Sequence, residues 1–154
     1  MTVLSVLALV AGVRPAAAAA AAGMDNRQVR IVAKVFNFLG KRPMPGASVV
    51  VVRGAADVAA VKAALAPMMV VEGGAGDAAG AFAVIVNSAA EAIAASRANP
   101  RVFTIGPEVG CVDTGACVLV VETQPQVSVY VSRAAASHAG IEFDTSFMML
   151  ITER

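Results

Sequence analysis

Ser48-Val-Val-Val-Val-Arg53 constrains this chain more than any other segment. A strand with no polar alternation is buried on both faces, and burial on both faces belongs to parallel sheets clad by helices. Neighbouring segments repeat the theme. Asp57 caps a helix from Val58 to about Ala66, and Pro67 ends it. Met68 to Val71 predicts a second strand, Phe82 to Val86 a third and Val102 to Ile105 a fourth. Ser88 caps a helix over Ala89 to Ala98, broken by Asn99-Pro100. Strands alternating with helices predict a right-handed, doubly wound sheet. Val118 to Glu122, a turn at Thr123-Gln-Pro-Gln126 and Val127 to Val131 then read as a hairpin, followed by a helix near Ser132 to Ala139. The expected fold is α/β, a three-layer Rossmann-like domain whose mostly parallel sheet carries a C-terminal antiparallel hairpin.

A further helix is expected from Asp25 or Asn26 to about Leu39, with Gly40 as its stop signal. Val29, Val32, Phe36 and Leu39 share one face at helical spacing, while Ile31, Val35 and Phe38 form a second apolar stripe. Two stripes imply cover on two sides, by the sheet and by something else. Ile31, Val35 and Phe38 are therefore expected to belong to a dimer or partner surface. Phe147 and Met148 in the apolar ending Phe147-Met-Met-Leu-Ile151 are expected to extend it, on a terminal strand.

Residues 3 to 13 form an uninterrupted apolar run, stopped by Arg14-Pro15 and followed by alanines from Ala16 to Ala22. The run is too short for a membrane span, which needs ~20 residues, and suits a signal-peptide core with small residues for cleavage. Residues 1–22 are thus expected to be a cleaved leader, and 23–154 a single exported α/β domain. The chain is 58% hydrophobic and 15% charged, which leaves apolar surface beyond what one core consumes. Its net charge is +1 and it has no Trp, so a nucleic-acid footprint is not expected. Cys111 and Cys117 suit an oxidising compartment, and a bond between them would close a small loop at the mouth of the hairpin. Two free buried thiols are the alternative.

No constellation points to catalysis, a cofactor or a metal. Gly74-Ala-Gly-Asp-Ala-Ala79 matches a dinucleotide fingerprint, but a strand follows where the fingerprint needs a helix, so residues 72 to 80 read as a flexible surface loop. His138 is the sole histidine and lies near a helix end, where it can cap the last carbonyls. With one His and two Cys a metal site is disfavoured. The carboxylates, among them Asp25, Asp57, Glu108 and Asp113, show no paired spacing. A small-ligand crevice at the carboxyl ends of the strands, lined by Gly54, residues 72–80 and Gly106, is the rival to a pure protein binder.

Several segments carry a family resemblance in order. Val35-Phe-Asn-Phe38 followed by Met44-Pro45 resembles the "LYNF … WP" opening of the YfiR-like periplasmic proteins. Val102-Phe-Thr-Ile105 resembles their "VLTV", Thr114-Gly-Ala-Cys-Val118 their "GGMI" turn, and Tyr130 to Ile141 their "INLAAARRAGL". The chain departs from the pattern at Met44, Ala116 and Ser132. The resemblance implies a dimerising periplasmic α/β regulator. Its implied partners are the periplasmic part of an inner-membrane diguanylate cyclase, which it represses, and an outer-membrane lipoprotein that relieves repression. Cyclic-di-GMP level is the implied output, and disulfides stabilise the domain.

Overall fold

A computed structural model describes residues 23–154. The expected leader, residues 1–22, lies outside the described residues.

Helix α1 (Asn26–Val35) starts at a reciprocal cap. The Asp25 carboxylate accepts from the Gln28 N–H at 2.8 Å, and the Gln28 side chain accepts from the Asp25 N–H at 2.8 Å. The helix tightens into a 3₁₀ turn, Phe36–Phe38, after which Leu39 is extended. Strand β1 (Ser48–Val52) leads through α2 (Val58–Leu65) to β2 (Met69–Gly73). The chain then crosses back to β3 (Ala83–Ile85), α3 (Ala89–Ala98), β4 (Phe103–Gly106), α4 (Val109–Asp113) and β5 (Leu119–Glu122). The remaining elements are β6 (Ser128–Val131), α5 (Arg133–Ala139), α6 (Thr145–Met148) and β7 (Thr152–Glu153).

The seven strands form one sheet in the order β2-β1-β3-β4-β5-β6-β7. Strands β1 to β5 run parallel, β6 pairs antiparallel with β5, and β7 pairs parallel with β6. The Rossmann-like α/β fold with its antiparallel hairpin is therefore the fold of this chain. Val49 to Val52 are all buried, as the unbroken valine run required. Asp57 and Ser88 cap α2 and α3, accepting from the N–H groups of Ala59 (3.0 Å) and Glu91 (3.2 Å).

All six phenylalanines of the chain join in one run of ring contacts. Phe82 meets Phe36 edge-on (centroids 5.7 Å apart), Phe36 meets Phe103 (5.4 Å), and Phe103 meets Phe143 (6.1 Å). Phe143 meets Phe147, and Phe147 stacks on Phe38, both at 5.2 Å. The end of α1 is thereby fixed to the C-terminal segment. A bridge between Leu39 and Phe143 and the Asp144 N–H bond to the Phe38 carbonyl (2.7 Å) reinforce that join.

Three expectations are corrected here. Residues 72 to 80 are not a flexible loop: β2 runs on to Gly73, and a 3₁₀ turn occupies Ala75–Gly80. Asp77 caps that turn by accepting from the Gly74 N–H at 2.8 Å, and Asn99 donates to the Ala78 and Ala81 carbonyls at 3.1 and 2.9 Å. The segment closed by Cys111 and Cys117 is not simply a loop: Cys111 lies in the short helix α4, and Cys117 leads into β5. The apolar ending is not a strand at Phe147: Asp144 accepts from the Ser146 N–H at 3.0 Å and starts α6.

Candidate functional site

Where the end of α1 meets the C-terminal segment, two large apolar side chains stand exposed beside an ordered join. Phe147 points inward from α6 onto Phe38 and is only 4% exposed. Met149 and Leu150 follow in the turn just past α6 and stand outward. They are 80% and 75% exposed. The α6 start is held by Asp144, whose carboxyl lies below its ordinary range because the Ser146 N–H and then the Ser146 hydroxyl donate to it. Behind the segment, Arg133 pairs with Glu153, and Arg154 pairs with Asp113 at 3.7 Å while lying 5.5 Å from the Tyr130 ring centroid.

The five residues expected on a contact surface divide. Ile31 and Phe38 are half-buried against the core, and Met148 is half-buried. Val35 is 2% exposed, so neither it nor the inward Phe147 can belong to a surface. Both are spent on the core because α1 is wrapped by α2, the sheet and the C-terminal segment together. Met149 and Leu150 were missed as individual residues, although the Asp144-Thr-Ser146 cap signal that orients them is present in the sequence. A second exposed group, Met44 (76%), Met69 (57%) and Val71 (41%), lies on and beside the free edge strand β2.

Cys111 and Cys117 sit as an intrachain disulfide pair with Cα atoms 5.2 Å apart, and both are buried. Gly106, at the end of β4, does not line a crevice. A side chain on it would run into the Cys117 Sγ and would lie 3.0 Å from the Cys111 Sγ. At the switch between β1 and β3, the Asn87 side chain donates to the Arg53 carbonyl at 2.7 Å and its N–H donates to Glu91 at 2.7 Å. What remains at the carboxyl ends is an open hollow lined by Val52, Arg53, Glu72, Gly73, Gly74 and Glu91, with Gly54 outside it. Arg53 and Glu72 pair across it at 3.5 Å, both well exposed.

His138 is exposed and faces a groove shared with Arg97 and Thr114. Gly140 (φ 71°) closes α5, its N–H reaching the Ser137 carbonyl at 3.1 Å. Among the described residues, no three His, Cys, Asp or Glu side chains gather as metal ligands would, and no helix is long and apolar enough to cross a membrane. No family model matches the chain, and no curated protein matches it.

Proposed function

We propose that the chain is an exported regulatory protein that works by protein–protein contact, binding the periplasmic domain of an inner-membrane signalling enzyme and holding it inactive. The resemblance to YfiR-like proteins makes that enzyme a diguanylate cyclase and the output cyclic-di-GMP. In this reading an outer-membrane lipoprotein relieves the repression, and the active form is a homodimer. The observation that carries the proposal is the outward pair Met149 and Leu150, held at 80% and 75% exposure beside the ordered Phe38–Phe147 stack. Large apolar side chains on an anchored segment suit a partner's surface.

The test measures cellular cyclic-di-GMP in the native host with the gene deleted, restored, and restored as Met149→Ser/Leu150→Ser. Repression requires a rise on deletion, a fall on restoration and no fall with the double variant. An unchanged level on deletion would remove the cyclase reading. A fall with the double variant equal to that with the native chain would remove this segment from the contact.

A further inference from the structure

A second concavity lies at the opposite end of the sheet from the hollow beside Arg53 and Glu72. The chain entering β1 at Met44–Pro45 and the chain entering β2 at Ala66–Met68 stand apart, and between them opens a cleft of about 450 Å³. That volume falls within the range of small-ligand sites. Its apolar lining comes from Phe36 and Leu65, both 5% exposed, from half-buried Met68, and from Met44, which stands 76% exposed at the rim. Pro43, Pro45 and Pro67 complete the walls. Proline has a fixed φ and no N–H, so these walls are stiff and donor-poor.

The charge around this cleft has one sign. Lys34 and Arg42 line it, and no carboxylate does. Neither cation takes part in an ion pair among the described residues. The Arg42 guanidinium makes one long bond, donating to the Asn37 carbonyl at 3.4 Å, and its other donors remain open to a ligand. The last turns of α1 and α2 also open here, each bringing roughly half a negative charge. Two full positive charges outweigh two such halves. An apolar body with a single anionic head fits both the walls and the field.

We propose that this cleft binds a medium-chain monocarboxylate, its alkyl chain against Phe36, Leu65 and Met68 and its carboxylate between Lys34 and Arg42. The site is separate from the Met149–Leu150 surface, so either can fail without the other.

Isothermal titration of the purified protein with hexanoate, heptanoate and octanoate tests it, with octan-1-ol and acetate as controls. Each methylene moved out of water should tighten Kd roughly fourfold. Octan-1-ol, which keeps the chain without the charge, should bind at least about tenfold more weakly than octanoate, and acetate, six methylenes shorter, should show no measurable binding beside it. The variant Lys34→Ala/Arg42→Ala changes exposed side chains only. It should weaken octanoate roughly tenfold and leave octan-1-ol unchanged. Methyl NMR should place the octanoate-induced shifts at Met44 and Met68. Absence of saturable octanoate binding, equal affinity for octan-1-ol, or shifts centred on Met149 would each overturn the proposal.

Discussion

Gly106 provides the sharpest test of the packing around the disulfide. Its φ lies outside the left-handed region, so the backbone would admit any side chain. Space alone forbids one: an added Cβ would overlap the Cys117 Sγ and press on the Cys111 Sγ at 3.0 Å. Overpacking a filled interior costs about 1–3 kcal/mol, and Gly106→Ala is expected in that range. Removing the crosslink itself, as Cys111→Ala/Cys117→Ala, releases a loop of sequence separation 6 and should cost about 2 kcal/mol by loop entropy. The two losses should not add. With both sulfurs gone, the methyl introduced by Gly106→Ala gains room, and its cost should fall below about 1 kcal/mol. Urea denaturation of the native chain, both variants and their combination gives the coupling energy, expected at about 1–2 kcal/mol. Additivity to within about 0.5 kcal/mol would refute the reasoning, since Gly106 would then be needed for something other than clearance around the sulfurs.

Three further outcomes follow from the same packing and hydrogen bonds. Phe103→Ala should cost about 3–5 kcal/mol in urea unfolding, because the ring is fully buried at the centre of the phenylalanine run, and a loss under about 1.5 kcal/mol would mean that the run does not hold the ends together. Ser132→Ala should cost about 1 kcal/mol, because the buried Ser132 hydroxyl accepts from the Ala135 N–H at 3.1 Å and caps α5, and an unchanged urea midpoint would deny that cap any weight. Asp144 contributes stability that depends on pH. Its folded pKa is lowered from 3.8, so the contribution is complete above that value and is lost as pH falls through the lower folded value. The difference in urea midpoint between the native chain and Asp144→Ala should therefore be constant at neutral pH and narrow below pH 3.8, and a difference that widens in acid would contradict the assigned hydrogen bonds.

Local signals made the parallel part of this fold readable. The valine run fixed burial on both faces of β1, and Asp57 and Ser88 announced the helices on either side of the strand crossings, where their side chains do cap. Two of the misread segments lacked a decisive local signal. Nothing near residues 75–80 reveals that Asn99, far along the chain, will hold that turn by two carbonyls. Helix α4 has no side-chain cap and carries Gly110 within its five residues, so propensity alone would not place it. The Cys111–Cys117 link and the packing of its buried face hold it instead.

The exposed apolar side chains were not legible in sequence for a different reason. Helical periodicity states which residues share a face but not how many neighbours will cover that face. The stripe of Ile31, Val35 and Phe38 was a correct periodicity, yet Val35 is buried in the core and the C-terminal segment folds back to stack Phe147 on Phe38. The apolar excess in the composition then had to surface elsewhere, and it does so at Met149, Leu150, Met44 and Met69. Three of these four are methionines, whose unbranched, polarisable side chains adapt to irregular apolar surroundings. The join of Phe38 to Asp144 and Phe147 thus takes up part of the α1 stripe, and Met149 and Leu150 stand outward directly after it.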